Sequence, residues 1–487
     1  MHNPLIIGLD LGTTLCKAFA FELDGTVAGS SQKPIKTYRP HPGWAEQDPT
    51  EWETALVEVL NDLVSQLGKD KRRIEAIGLS CHGPCLIPAD KNYRPLWRCP
   101  TWQDQRSAHL VEPLLQLAGV DWIGLGTPES SFGVQLYWAI QNRKDLLDQA
   151  SYLFDTKGYL NAFLTGCPVD EPSSSPGSKD DYNPIFEALG IDTQLLPGSV
   201  PSISVVGGLT PDLQRRLNLS SNVKVVAGLN DGAAATLGAG IVKQGQGIVS
   251  LSTNGVMRTT INKPMPGSTL FAKSMFCYSY VDNMFITGGM TKCGGDNVKW
   301  LLENFYPEEE NDPGLFEKIT ALADESPVGA NGVLFMPYLL GQKTTQPTGA
   351  GFGAFLNLHR HNNQADFARS LFEGTAFALK EISETFNELG LPWENLHFSG
   401  GGSKNDVWRQ IVADILGRPL TGVKSDSVLG VALLAAASLG YFNSIKDAVD
   451  SMVETTFNIQ PVEENIMLYE QIYTRFKHGK RLVSELD

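Results

Sequence analysis

Apolar residues fill positions 5–11, interrupted only by Gly8 and Asp10, then yield to Gly12-Thr13-Thr14 and resume from Leu15 to Phe21, broken only by Lys17. A short apolar run of this kind predicts a strand buried on both faces, a tight turn and a second strand. Asp24-Gly25 reads as a two-residue turn, with a third strand over 26–36. The device recurs at 247–260, where Ser252-Thr253-Asn254-Gly255 separates two further strands. Each half of the chain thus opens on the same hairpin, which predicts a duplicated fold.

The remaining periodicities fill in an α/β chain. Trp52, Leu56, Val59, Leu60 and Leu63 give the segment 51–67 the apolar face of a helix, with Asp48 or Thr50 as its cap. Helices are also predicted over 132–142, 364–389 and 406–416, with a closing amphipathic helix from Tyr469 onward. Residues 428–439 are apolar on every side and read as a buried, closely packed helix. Strands are predicted over 74–79, 223–228, 333–338 and 396–399, and over 275–287 with a turn at Asp282-Asn283, and the Ser/Pro/Gly-rich stretch 170–181 as a mobile loop. The division expected is an N-terminal domain over 1–243 and a C-terminal domain over 244–487.

A chain of 487 residues is too long for one core and long enough for two. The net charge of −15 and the absence of a basic patch argue against a nucleic-acid partner. No apolar run reaches the roughly 20 residues of a membrane span, and the N-terminus does not read as a leader. Cys16, Cys81, Cys85, Cys99, Cys167, Cys277 and Cys293 are scattered and odd in number, which suggests reduced thiols and a cytoplasmic location. Cys81-His82 followed by Cys85 lacks the second ligand pair of a structural zinc site.

The polar residues at strand ends carry the candidate chemistry. Thr13 and Thr14 offer hydroxyls and amides to a phosphate, and Asp10 beside them can hold Mg²⁺; an ordinary hairpin is the plain alternative. Asp231 follows a strand and precedes an Ala-rich helix, so it is either a general base, a helix cap, or both. Ser80-Cys81-His82-Gly83 ends another strand, where α/β sites usually lie. Trp102, Asp104 and Arg106 combine an aromatic face, an acceptor and a donor fork suited to a polyhydroxylated ligand, or else form a surface ion pair. Gly400-Gly401-Gly402-Ser403-Lys404-Asn405 joins a strand to a helix N-terminus and lets a ligand approach the backbone. There is no G-x-x-x-x-G-K-[ST] loop, and the glycines at 349–353 lack dinucleotide spacing.

Taken in order, these segments resemble the FGGY carbohydrate kinases. Asp10-Leu11-Gly12-Thr13-Thr14 resembles the first phosphate motif and Cys81-His82-Gly83 the Met-His-Gly of xylulokinases. Trp102-Gln103-Asp104-Gln105-Arg106 resembles the W-x-D-x-R sugar loop, and Asp231 falls at the catalytic aspartate. Ser252-Thr253-Asn254-Gly255 resembles the second phosphate turn, Gly294-Gly295 with Trp300 the G-G-x-x-x-x-W segment, and Gly401, Gly402 and Asn405 part of the adenosine motif. The resemblance implies two actin-like, ribonuclease H-like domains with the active site in the cleft between them. It implies that MgATP is bound there, with Thr13, Thr14, Lys17, Ser252–Gly255, Gly294, Gly295, Gly401, Gly402 and Asn405 at the nucleotide and Asp10 and Asp231 at the metal. The acceptor, a small sugar or sugar acid, would meet Cys81, His82, Gly83, Trp102, Asp104, Arg106 and the base Asp231. Gly255-Val256-Met257-Arg258, Phe276-Cys277-Tyr278 and Gly288-Gly289 resemble gluconokinases, so gluconate is the first choice and xylulose or another ketopentose the alternative. A non-catalytic ATP- and sugar-binding protein of the same fold is the reading from another class. A homodimer is compatible with either reading. The chain departs from the family pattern at Ser252, Asn254, Gln135, Gln342 and Lys343 and in the stretch 170–183.

Overall fold

The computed structural model describes residues 3–121, 128–174, 179–306, 314–341 and 352–485, with the side chains of 179–183 and 352 left out. Six strands form the first sheet: β1 (Leu5–Leu11), β2 (Leu15–Phe21), β3 (Val27–Pro34), β4 (Ile74–Cys81), β5 (Val205–Gly208) and β6 (Lys224–Asn230), in the order β5-β6-β4-β1-β2-β3. Seven form the second: β7 (Gln246–Leu251), β8 (Gly255–Ile261), β9 (Met275–Ser279), β10 (Phe285–Thr291), β11 (Asn395–Ser399), β12 (Leu420–Val423) and β13 (Thr455–Ile459), in the order β9-β10-β8-β7-β11-β12-β13. In both, the opening strand pairs antiparallel with its hairpin partner and parallel with a later strand, which pairs parallel with a third. The duplication read from the two hairpins is therefore a duplication of sheet topology.

The helices that matter to the site are α1 (Pro49–Leu67), α2 (Phe132–Asn142), α3 (Thr156–Thr165), α4 (Asp231–Gly238), α5 (Gly295–Phe305), α6 (Leu315–Glu325), α7 (Gln364–Glu388), α8 (Asp406–Leu416), α9 (Ser427–Ser438) and α10 (Glu463–Ser484). Asp48 caps α1 by accepting from the Thr50 amide. Asn230, not Asp231, is the N-cap of α4: its side chain accepts from the Ala233 amide, while the Asp231 carboxylate accepts from the Gly232 amide in the first turn.

The period of two along β1 explains both of its faces. Leu5, Ile7, Leu9 and Leu11 join the core that α1 builds with Trp52, Leu56 and Leu60. Ile6 joins the core built by α9, and Gly8 and Asp10 share that face. A β-carbon on Gly8 would lie 1.9 Å from the Val428 carbonyl oxygen, so the helix of the second half rests directly on the first sheet. The same helix meets α4 at equal closeness, where a β-carbon on Gly430 would fall 1.9 Å from the Ala234 carbonyl oxygen. The all-round apolar sequence of α9 and the small residues of α4 reflect this contact between the halves.

Local differences from the sequence expectations have identifiable causes. The third strand stops at Pro34, where the Ile35 amide turns back to bond the Thr14 carbonyl. The chain ahead of Trp102 contains a two-residue strand, Cys99–Pro100, paired with Glu46–Gln47. The expected mobile stretch 170–181 begins as a buried turn: the Glu171 carboxylate accepts from the Ser173 amide and from the hydroxyls of Ser173, Ser174 and Ser202. A helix begins at Lys179, and residues 175–178 lie outside the described residues, as do Gln342, Lys343 and the glycines at 349–351. No helix among the described residues is long and apolar enough to cross a membrane.

Candidate active site

Parallel pairing aligns the C-terminal ends of three neighbouring strands. Asp10 of β1 stands opposite Ser80 of β4, and Asn230 of β6 opposite Cys81. Asp10, His82 and Asp231 therefore emerge on one edge of the first sheet, the crevice position of open α/β sheets. Asp10 is buried, and its Oδ1 has no hydrogen-bond partner among the described residues. Burial pushes its carboxyl up to about 6, against the hydroxyls of Ser80 and Ser427 and the charge of Lys17; the neighbouring Asp231 adds to the rise. Asp231 is reached by solvent yet hemmed in by protein, as on a cleft floor. Desolvation raises its carboxyl as well, opposed first by the Arg258 charge and then by the Gly232 amide and Lys157.

The second half supplies the facing wall. Ser427 and Asp426 open α9, and Asp426 lies 3.7 Å from the Lys17 ammonium. The Ser250 and Ser399 hydroxyls lie 3.2 Å apart, which sets the turn after β7 beside the Gly400–Asn405 turn after β11. Ser252 and Thr253 are exposed on that turn. Their carbonyls accept from the Gly295 and Asp296 amides at the start of α5, so close that a β-carbon on Gly294 would sit 2.5 Å from the Thr253 oxygen. Gly401 has nothing within 4 Å of its β position, whereas at Gly400 the Leu251 carbonyl oxygen would be 2.4 Å away.

Several residues expected at the ligands face inward instead. Asn405 caps α8 by accepting from the Trp408 amide and donates to the Thr320 hydroxyl on α6, so both ends of its amide are occupied. His82 is buried between Gln47, 3.2 Å from its Nε2, and the Cys85 sulfur, with the Trp52 ring edge-on. Asp104 and Arg106 form neither an open sugar contact nor a surface ion pair. The Asp104 oxygens accept from the Ala45 and Arg106 amides and from the guanidinium, which also pairs with Glu46 and stacks 3.6 Å over the Trp44 ring. This buried lock shapes the loop that carries Trp102. Gln135, a departure from the family pattern, likewise pins the Leu86 amide and the Ser130 carbonyl. Thr13, Thr14, Lys17, Gly83 and Trp102 remain open to solvent at least in part.

Two residues with no expected role stand out. Gln47 is fully buried and donates to the Thr13 carbonyl while accepting from Trp52, so it joins the phosphate-type turn to His82. Lys157 is fully buried and donates to the carbonyls of Leu79 and Leu229, fastening the ends of β4 and β6 together. Both lie in segments whose local pattern reads only as loop and helix; the pairing that gives them a role is long-range.

Comparison with known proteins decides the family. Residues 5–238 match the N-terminal domain of the FGGY family of carbohydrate kinases, and residues 254–439 its C-terminal domain. The chain belongs to this family. FGGY kinases are phosphotransferases, and so is this chain. It is 28% identical to a xylulose kinase of Staphylococcus epidermidis over 100% of the chain and 99% of that protein. It is 26% identical to a gluconokinase of Bacillus subtilis over 98% of the chain and 96% of that protein. Its fold matches that of a gluconate kinase from Lactobacillus acidophilus with a TM-score of 0.88 at 22% identity, covering 99% of this chain and 98% of the other. The two sheets are thus the two actin-like domains of an FGGY kinase. Among the described residues no group of three or more His, Cys, Asp and Glu forms a metal cage. The unpartnered Asp10 oxygen fits a divalent cation that takes its other oxygens from phosphate and water, as Mg²⁺ does.

Proposed function

We propose that this FGGY kinase transfers the γ-phosphoryl group of MgATP to a hydroxyl of a small sugar or sugar acid, with gluconate as first choice and xylulose or another ketopentose as the alternative. The observation that carries this reading is the pairing of Asp10 and Asp231 at one sheet edge, with donor-rich turns from both halves facing it.

Asp231 accepts the proton of the attacking hydroxyl as its oxygen bonds to phosphorus; the bond from phosphorus to the bridging oxygen breaks, and its electron pair leaves with ADP. A carboxyl raised by desolvation is a stronger base than a free aspartate. Thr13, Thr14, Ser252 and Thr253 offer hydroxyls and amides to the phosphates. Gly401 leaves room for the nucleotide beside the backbone. Asp10 would hold Mg²⁺, which supplies charge neutralisation at the phosphates. Trp102 and Gly83 border the acceptor, while His82, Asp104 and Arg106 hold those borders in place. The division at 243/244 assigns the base to one domain and the nucleotide turns to the other, so closure excludes water from the reaction.

The test is ADP release with MgATP against gluconate, xylulose, ribulose, glycerol and other polyols, repeated with Asp231→Ala. One preferred acceptor with activity abolished by Asp231→Ala supports the reading. Acceptor-dependent turnover that survives Asp231→Ala rules out this base.

A further inference from the structure

Arg258 and Tyr278 reach from the second sheet to the residue that follows the proposed base. Arg258 on β8 and Phe276 on β9 both stand opposite Gly288 of β10. The Phe276 and Tyr278 rings stack, with centroids 5.5 Å apart and planes 12° from parallel, and the Arg258 guanidinium lies 5.8 Å from the Phe276 centroid. This stack presents both polar ends towards α4. A β-carbon on Gly232 would lie 2.7 Å from the Tyr278 hydroxyl and 3.4 Å from a terminal nitrogen of Arg258. The charge of Arg258 acts on Asp231 more strongly than any other charge around it.

The Tyr278 phenol lies beside the Arg258 guanidinium, and each retains a polar atom not paired by the described residues. Arg258 Nε and the Tyr278 hydroxyl are buried without a hydrogen-bond partner among them. Buried donors are normally paired, so the unpaired Nε and phenol are suited to a ligand with acceptor oxygens. The planar guanidinium fork fits a carboxylate or a phosphate oxygen pair, with the phenol as a third donor. A neutral hydroxyl would satisfy Tyr278 but bring no further charge to the Arg258 fork, whose charge otherwise acts on Asp231. Arg258 stands three positions past Gly255 along β8, about 10 Å from the phosphate-type turn at roughly 3.3 Å per residue. Its place is beside the base, on the acceptor's side of the reaction.

We propose that Arg258 and Tyr278 form a carboxylate-reading subsite that grips the acceptor from the second half and makes a sugar acid the preferred substrate. The proposal rests on the kinase reading and names its substrate class. It gives the second half a direct part in acceptor choice, so a neutral acceptor closes the cleft less well than an acid one.

The experiment compares Arg258→Met, Arg258→Lys and Tyr278→Phe with the parent enzyme on gluconate and on xylulose, and measures gluconate binding calorimetrically to Asp231→Asn with and without Arg258→Met. The parent is expected to prefer gluconate. Arg258→Met should lower the gluconate-to-xylulose ratio of kcat/KM at least 30-fold, mainly through KM. Arg258→Lys, which keeps the charge and loses the fork, should lower it about 5-fold, and Tyr278→Phe by a similar factor. Gluconate binding to Asp231→Asn should weaken at least 30-fold when Arg258→Met is added. An unchanged ratio with a raised KM for ATP would assign Arg258 to the γ-phosphate and overturn the proposal. So would a parent that phosphorylates xylulose and neither binds nor uses gluconate, with the kinase reading left standing. Arg258-dependent binding of gluconate without phosphoryl transfer to any acceptor would keep the subsite and overturn the kinase mechanism.

Discussion

The Trp102 indole N–H donates to the Thr13 hydroxyl at 2.9 Å, which fastens the loop proposed to border the acceptor to the turn proposed to hold phosphate. Gln47 makes a parallel tie to the Thr13 carbonyl at 2.8 Å. On the proposed assignment, phosphate binding that orders Thr13 also orders the loop that carries Trp102. Trp102→Phe keeps a ring and loses the donor. One net hydrogen bond of about 0.5–1.5 kcal/mol corresponds to roughly 2–12-fold. The KM values for ATP and acceptor should rise together by such a factor, with kcat little changed. A rise confined to the acceptor, measured by varying each substrate at a fixed level of the other, would mean that the tie does not couple the two sites.

Gly400 and Gly401 are neighbours with opposite constraints. Gly400 has φ of 90° and would press a β-carbon to 2.4 Å from the Leu251 carbonyl oxygen, whereas the β position of Gly401 is open. Gly400→Ala should destabilise the protein by about 2–4 kcal/mol through strain and overlap. Gly401→Ala should unfold like the parent and raise the KM for ATP at least 5-fold, because its methyl group enters the space proposed for the nucleotide. Thermal unfolding and ATP titration of the pair separate the two effects. A Gly401→Ala enzyme with an unaltered KM for ATP would move the nucleotide away from this turn.

Much of this architecture is legible in the sequence because its signals are local. The two hairpins follow from apolar runs broken by Gly/Ser/Thr turns, and α8 and α2 begin and end where their periodicity does. Side-chain direction is a different matter. The same strand-to-helix turn holds Gly401, which opens outward, and Asn405, which turns inward to cap α8, and spacing does not distinguish them. Asp104 and Arg106 look like an acceptor and a donor on a loop until Trp44 and Glu46, some 60 positions away in sequence, close over them. The role of Lys157 depends on two carbonyls 78 and 72 residues distant.

Lys157 offers a test of how the proposed base Asp231 is held. Its ammonium donates to Leu79 and Leu229 at 2.6 and 2.8 Å, and its charge acts on Asp170, as do those of Asp155 and Glu171. Burial and these neighbouring carboxylates drive the Asp170 carboxyl well up, and Lys157 opposes the rise. Lys157→Met removes this counter-charge and leaves two strand-end carbonyls unbonded, at a cost of about 3–5 kcal/mol. It also removes one of the charges that favour ionised Asp231. Beyond lower stability, the acid limb of the kcat profile should move to higher pH. A variant that loses stability while keeping its pH profile would confine Lys157 to a structural part.

Asp10 links activity and stability in opposite directions. It faces Ser80 from β4, Ser427 from α9, Lys17 from β2 and Asp231 from α4, and its carboxyl is raised from 3.8 to about 6. The folded state therefore binds more protons than the unfolded chain between these values, and this group's contribution makes stability fall as pH rises through that window. Above it the charged carboxylate costs the fold about 2–3 kcal/mol, at 1.36 kcal/mol per pKa unit. Asp10→Asn should recover that amount at pH 7.5, in urea unfolding without nucleotide, and almost none of it at pH 4. The same change should abolish phosphoryl transfer, since an amide cannot supply the anionic oxygen proposed to hold the metal. Mg²⁺ with ATP should raise the melting temperature of the parent and leave that of Asp10→Asn nearly unmoved. A gain in stability of equal size at both pH values would show that burial of the charge is not its source; a variant that is stabilised yet fully active would remove Asp10 from the proposed metal site.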